Sequence, residues 1–322
     1  MSHPPSPAAV SSVPLLFWFF FHLLVFTLLA LDLGVFHRKA HAVGKREALA
    51  WSLFWIALSL TFNAGVYFRM GPQKALEFFT GYVVEYSLSL DNVFVFVLLF
   101  SYFAVPAQYQ HRVLFWGIIG ALVMRGTMIA LGTVLLARFH WIIYVFGAFL
   151  VITGIRMAGP GHIQVEPEHN PMLRLVRRLW PVTEGYEGQQ FFVRRSGRWM
   201  VTPLLVVLSL VETTDLIFAV DSIPAVFAIT RDPFIVYTSN VLAVLGLRSL
   251  YFLLAAVITS FQYLHVGLGI VLVYVGTKML LSDVFHIPVA ISLAVIFVIV
   301  SVSILISWLR TRAAAVRPSA QE

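Results

Sequence analysis

The run Val201 to Ala228 reads VTPLLVVLSLVETTDLIFAVDSIPAVFA, three carboxylates (Glu212, Asp215 and Asp221) set in a stretch otherwise as apolar as hydrocarbon. Residues 76–101 repeat the pattern with Glu85 and Asp91. About 20 mostly apolar residues suffice for a helix to cross roughly 30 Å of bilayer core. The two stretches are therefore membrane spans that carry acids inside. The rest of the chain agrees. Of its 322 residues 60% are hydrophobic and 11% charged, and the mean hydropathy is +0.88. Soluble domains carry about 25% charged residues, which excludes a soluble globular protein. Disorder needs low hydrophobicity, and an outer-membrane barrel needs alternation where this chain has continuous apolar runs. An all-α polytopic membrane protein remains.

Nine such runs can be traced, at 14–36, 48–68, 76–101, 113–137, 140–157, 201–228, 234–258, 264–282 and 288–309. Basic residues set orientation, being enriched in cytoplasmic loops. With the N-terminus outside, fifteen of the 22 Lys and Arg residues fall in cytoplasmic segments, four fall outside, and Arg125, Arg248 and Lys278 lie within spans or at their ends. The expected topology is thus N-out and C-in, in a bacterial inner membrane. Residues 1–13 form an extracytoplasmic tail, 14–157 spans 1 to 5, 158–200 a basic cytoplasmic loop, 201–309 spans 6 to 9, and 310–322 a cytoplasmic tail. No Lys or Arg precedes the first span, as a secretory signal would require, so that span is expected to be retained. The net charge of +7 is mostly an insertion signal and does not point to nucleic acid. In the loop, Leu173 to Trp180 predicts a short basic amphipathic helix suited to an anionic leaflet, and Phe191 to Val201 a hairpin turning at Arg195-Ser196-Gly197.

Spans 3–5 resemble spans 6–8. Glu85 and Asp91 have the spacing of Asp215 and Asp221, Arg125 answers Arg248, and Gly147-AFLVIT-Gly154-Ile-Arg156-Met157 answers Gly269-IVLVYV-Gly276-Thr-Lys278-Met279. Three-span units must enter the membrane from opposite sides. The reading is an inverted repeat, an arrangement that secondary transporters use with the substrate site near the midplane.

Carboxylates inside spans are costly and mark ion or proton pathways. Five acids, Glu85, Asp91, Glu212, Asp215 and Asp221, stand against Arg125 and Arg248. Two salt bridges, Arg125 with Glu85 or Asp91 and Arg248 with Asp221 or Glu212, would use two acids and leave three. Asn92 and Ser222, with Ser87, Ser89, Thr213 and Thr214, add neutral oxygens nearby. An all-oxygen set in a chain without cysteine suits Mg, Ca or Mn better than Zn or Cu. Glu85, Asp91, Asn92, Glu212, Asp215, Asp221 and Ser222 are the candidate ligands, and Arg125 and Arg248 the charge partners that hold acids in place. His22, in span 1, reads as packing. Residues six apart are turned by about 240° on a straight helix, so Glu85 and Asp91 cannot share a face, nor can Asp215 and Asp221. Pro224 favours a break. The expectation is local unwinding near Asp91 and Asp221. With straight spans, Asp91 would meet Asp215 on the inner side and Glu85 would meet Asp221 on the outer.

The stretches Glu85-YSLSL-Asp91-Asn92-VFVF and Glu212-TT-Asp215-LIFAV-Asp221-Ser222-I-Pro224-AVF, continued by Asp232-Pro233-FIVYT-Ser239-Asn240-VLAVLGL-Arg248, resemble the signature motifs of the TerC family over nearly the whole chain, with the Alx-type bacterial members the most similar. The resemblance implies an inner-membrane protein linked to manganese export and, by family name, to tellurium resistance. Tyr86 departs from the pattern, which commonly has lysine there. The leading expectation is a transporter that carries Mn2+ as substrate, with protons as a possible coupling ion and no bound cofactor. The alternatives are a factor for assembly or metal loading of other proteins, docking through the 158–200 loop, and a proton or sodium antiporter. No nucleophile–base set or nucleotide loop suggests an enzyme. The oligomeric state is not legible.

Overall fold

The computed structural model describes residues 13–31, 44–139, 141–158, 171–195, 197–255, 264–285 and 287–315. The N-terminal tail, part of the basic loop and the end of the C-terminal tail lie outside them. The described chain is mostly helical. Six helices are long and apolar enough to cross a membrane, and three shorter apolar helices fall on the remaining predicted runs. In chain order they are α1 (Leu15–Leu31), α2 (Lys45–Met70), α3 (Pro72–Tyr102), α4 (Ala107–Arg138) and α5 (Ile142–Ala158). Next come α6 (Pro171–Leu179), the strands β1 (Phe192–Arg195) and β2 (Arg198–Val201), then α7 (Pro203–Phe227), α8 (Pro233–Leu254), α9 (Leu264–Leu280) and α10 (Val289–Ala315). The chain is an all-α polytopic membrane protein.

Local chemistry sets the boundaries. Pro72, Pro203 and Pro233 open α3, α7 and α8, where the missing N–H would be unpaired anyway. Asp232 caps α8 by accepting from the Phe234 N–H at 3.1 Å. Gly71, at φ +90°, lets α2 turn directly into α3. The loop elements match their sequence signals: α6 covers the amphipathic stretch, and β1 pairs β2 with Arg195 opposite Arg198 and Gly197 at φ +79°.

Both acid-bearing helices are continuous, α3 from Pro72 to Tyr102 and α7 from Pro203 to Phe227. This corrects the expected unwinding at Asp91 and Asp221. Inside a bilayer every broken backbone hydrogen bond must find another partner, and Pro224 lies within one turn of the end of α7, where few bonds are at stake.

The packing is reciprocal. α3 packs on α8, α4 on α7, and α5 on α9. The α5–α9 contact is the closest, because glycine removes the side chains between two backbones. A Cβ on Gly154 would stand 2.5 Å from the Gly269 carbonyl, and one on Gly269 2.7 Å from that of Gly154. Gly147 and Gly276 face each other in the same way, at 2.9 and 2.7 Å. α8 is the most enclosed helix, wrapped by α2, α3 and α4. α1 lays Trp18 and Phe21 against Phe234 and Tyr237. His22 is a packing residue in this layer: its Nδ1–H donates to the Trp18 carbonyl at 2.8 Å, and Nε2 meets the Tyr237 hydroxyl at 3.1 Å. The segment 171–201 folds over the ends of α3 and α4, with the Tyr186 hydroxyl on the Phe103 carbonyl at 2.7 Å and Arg112 over the Phe191 ring at 5.3 Å.

Candidate functional site

Arg125, 1% exposed on α4, is the centre of the site. Its Nε donates to Asp215 Oδ2 at 3.1 Å and its Nη2 to Asp215 Oδ1 at 3.0 Å, a two-pronged grip on one carboxylate. Nη1 bonds Glu85 on α3. One guanidinium thus holds two buried carboxylates, supplied by two different helices. The amides complete the cage. Asn92 Nδ2 donates to Asp215 Oδ1 at 3.1 Å, and Asn240 Nδ2 donates to Glu85 Oε2 at 2.8 Å. Ser222 Oγ and Asn240 Oδ1 stand 3.5 and 3.4 Å from Arg125 Nη1.

A straight helix explains why these residues meet. Glu85, Leu88 and Asn92 fall on one face of α3, at steps of three and four residues. Asp215, Phe218 and Ser222 do the same on α7. The acid and the amide or hydroxyl seven residues on therefore point together. Asp221, turned by about 240° from Asp215, faces α5 and lines a cavity together with Thr153. No unwinding is needed, because α4 and α5 each come to the acid that faces them. Of the straight-span pairing by depth, Glu85 and Asp221 line one cavity, and Glu85 in addition shares its guanidinium with Asp215. The side chain of Asp91 lies outside the described residues.

Beside the cage lies a cavity of about 280 Å³, lined by Glu85, Asn92, Arg125, Thr153, Asp221 and Ser222 among others, and extending to Arg156 and Met157 at the end of α5. Of its lining, Asn92 Oδ1 is a buried polar atom without a hydrogen-bond partner among the described residues. Glu212 is placed apart, its carboxylate against the backbone of α4 at Gly120, where any Cβ would collide with it. Thr213 and Thr214 spend their hydroxyls on their own helix, at the Ser209 and Leu210 carbonyls. Among the described residues no three acids or histidines gather as a ready metal cage. The acids meet a guanidinium instead.

Arg248 lies towards the other end of the bundle, with Nη1 3.0 Å from His111 Nε2. A guanidinium only donates, so this nitrogen of His111 accepts. Arg248 and Asp215 line a second, much smaller cavity, along α4 residues Gly117, Ile118 and Ala121. Tyr86 stacks on Tyr82 and faces Gly246. It is not among the residues lining the main cavity, so the departure from the motif leaves the cage intact.

Sequence reasoning missed Asn240, Thr153 and His111. Asn240 left a signal, an amide within an enclosed apolar helix. Thr153 left none, because most threonines in these helices satisfy themselves on the preceding turn.

The integral membrane protein TerC family matches residues 70–315. An uncharacterized membrane protein of Myxococcus xanthus is 52% identical over 295 residues, 92% of each chain. Proteins of Shigella flexneri and Escherichia coli K12 that carry the name membrane-bound redox modulator Alx are 47% identical over 307 residues, 92% of this chain and 96% of theirs. No solved structure matches the chain significantly. With the family matched over both acid-bearing helices and through α10, this chain belongs to the TerC family of integral membrane proteins.

Proposed function

We propose that the chain exports a divalent metal cation, Mn2+ first among the candidates, from the cytoplasm of a bacterium. In this reading nine helices span the inner membrane with the N-terminus outside and the C-terminus inside. α3–α5 and α7–α9 are then inverted repeats, related by an axis in the membrane plane. The reciprocal packing of α3 on α8 and α4 on α7, and the mutual approach of Gly147, Gly154, Gly269 and Gly276, support the repeat. In such folds transport proceeds by rocking one repeat against the other around a central site.

The single observation that carries the reading is the cage itself. Two buried carboxylates, Glu85 and Asp215, are held by a positive charge that belongs to the protein, beside a cavity offering further oxygens from Asp221, Ser222 and Asn92 Oδ1. Carboxylate, amide and hydroxyl oxygens suit a hard cation. To reach Glu85 and Asp215 such a cation must take over from Arg125, which shares its one positive charge between the two acids when no metal is bound. The oxygen chemistry does not by itself single out Mn2+ from Mg2+ or Ca2+. The choice of Mn2+ rests on the family resemblance. Proton release from the acids when metal binds would couple flux to a pH gradient. The relatives' name speaks of redox modulation; a chain with no cysteine has no thiol couple of its own, and any such effect would follow from the cation moved.

The test is flux of purified protein in liposomes, Mn2+ against Mg2+ and Ca2+, with and without an imposed pH gradient. Mn2+ movement that is lost in Glu85→Gln and Asp215→Asn supports the proposal. Equal Mn2+ movement in protein-free liposomes and in proteoliposomes would remove it and bring forward an assembly role, for which the folded 171–201 segment over α3 and α4 offers a docking surface.

A further inference from the structure

Residues 171–201 take no part in the cage, yet they carry a surface that bulk water does not suit. Six arginines stand there against two glutamates. Helical geometry sorts those of α6. Val176 is buried and joins the apolar core that includes Leu204 and Val207 of α7. Leu175 and Leu179, one turn apart, lie along one flank beside Val176, and Leu179 is 56% exposed. Arg178, two residues on from Val176, is turned by about 200° from it and points away from the core. The chain leaving α6 then pairs in parallel with β2 at Val182 and Val201. Trp180 and Trp199 each stand two residues before that bridge, which sets them at the same end of it. Both are exposed, Trp199 to 59%, and Trp199 lies opposite Arg194 in the β1–β2 register. Arg195 is engaged by Glu187, whereas Arg178, Arg194 and Arg198 are exposed and form no ion pair among the described residues.

Exposed leucine and tryptophan interleaved with unpaired arginine fit neither water nor hydrocarbon. They fit the boundary between the two, where aromatic rings sit at headgroup depth and basic amphipathic helices lie against anionic lipid. The place in the fold agrees. β2 ends at Val201 and α7 starts at Pro203, so Trp199 is four residues from the start of a span, within about 14 Å even when fully extended. We infer that α6 and the β1–β2 hairpin together form a docking surface for anionic phospholipid. Leu175, Leu179 and the two tryptophans rest at the acyl boundary, and Arg178, Arg194 and Arg198 take the headgroup phosphates, for which the guanidinium fork is suited. An acidic protein would match the charge, but it would not account for leucine and tryptophan at the edge of a span. The surface is fastened to the helices of the cage. The Tyr186 hydroxyl donates to the Phe103 carbonyl at the end of α3 at 2.7 Å, and Arg112 of α4 reaches Gln189 at 3.4 Å. The Thr202 hydroxyl, at the start of α7, donates to the Gln190 carbonyl at 2.6 Å. Lipid held there steadies the ends of the three helices that supply Glu85, Arg125 and Asp215. With the N-terminus outside, the leaflet is the cytoplasmic one, and the inference takes only that detail from the proposed function.

The chain has no cysteine, so Leu179→Cys gives the full-length protein one thiol for an environment-sensitive nitrobenzoxadiazole label. The labelled protein is placed in nanodiscs of phosphatidylcholine alone, and of phosphatidylcholine mixed with phosphatidylglycerol, each with and without a lipid that carries a nitroxide close to its headgroup. In the mixed nanodiscs the emission shifts to the blue and the nitroxide quenches it, both more strongly than in phosphatidylcholine. A basic side chain near an anionic surface contributes about fivefold to binding, so Arg178→Gln, Arg194→Gln and Arg198→Gln together lower the ratio of docked to undocked label more than about tenfold. Quenching then returns to the phosphatidylcholine level. The three arginines are exposed, and an unchanged unfolding midpoint in neutral micelles verifies that the triple variant is folded. Equal quenching in the two lipids, quenching in neither, or a response to phosphatidylglycerol that survives in the triple variant would overturn the docking surface. So would a label that is shielded from soluble iodide yet never reached by the nitroxide, which would mean that protein covers it. Nanodiscs carry the same lipid on both sides, so no outcome depends on orientation or on Mn2+ flux. Lipid docking without flux removes only the transport reading, and flux without docking removes only this surface.

Discussion

Replacing Arg125 by glutamine leaves Glu85 and Asp215 side by side in the membrane interior without their shared positive charge. The structure sets the scale of the loss. Arg125 makes one hydrogen bond to Glu85 and two to Asp215, at 3.1 and 3.0 Å, and hydrogen bonds to charged groups contribute about 1.5–3 kcal/mol each. The sum is an upper bound, since a stranded carboxylate can take up a proton and glutamine can recover one bond. Breaking a buried pair from one side costs about 3–5 kcal/mol, and that is the expected destabilisation. The chain has eight tryptophans, so unfolding by sodium dodecyl sulfate in mixed micelles can be followed by their fluorescence. The diagnostic comparison is the triple variant Glu85→Gln, Arg125→Gln, Asp215→Asn, in which no buried charge remains in the cage. It should regain most of the loss, because neutral amides can pair with one another and with Asn92 and Asn240. If Arg125→Gln unfolds within about 1 kcal/mol of the parent, or the triple variant is no more stable than the single one, then charge pairing does not hold the cage and the account of Arg125 fails.

Two further contrasts separate binding from stability and packing from propensity. Asn240→Ala removes the donor to Glu85 Oε2 and should cost about 1–3 kcal/mol together with Mn2+ affinity, whereas Asp221→Asn, at a half-buried acid lining the cavity with Thr153, should weaken Mn2+ binding by calorimetry and barely move the unfolding midpoint; equal stability losses in the two would place both in the fold and neither in the site. Gly154→Ala sets a Cβ against the backbone of Gly269 and Val273 at 2.5 and 2.8 Å, atoms that cannot yield, and should lower stability by about 1–3 kcal/mol, while Gly65→Ala on α2, with nothing within 4 Å, should be neutral or slightly stabilising as alanine is the better helix former; a neutral Gly154→Ala would show that α5 and α9 are free to separate.

The sequence by itself determined the membrane class, the helix positions and the loop hairpin, because these follow from local composition: apolar length, proline at helix starts, and glycine where φ must be positive. It also singled out the acids, Asn92, Ser222 and Arg125 as candidates, since an isolated polar group among apolar neighbours stands out in one dimension. The four glycines of α5 and α9 were legible as a repeat, though not as a contact. Tertiary structure alone decided how the polar groups are shared out. The 240° turn between Glu85 and Asp91, and between Asp215 and Asp221, was computed correctly from the sequence, but unwinding was the wrong inference from it. Neighbouring helices come to each face, so that Arg125 meets Asp215 while Asp221 shares a cavity wall with Thr153. That Arg125 grips Asp215 and Glu85 together could not be read from the motifs, which place polar groups along the chain and not their partners. A long guanidinium side chain can reach more than one partner. Which partner it takes depends on the packing of helices far apart in the chain.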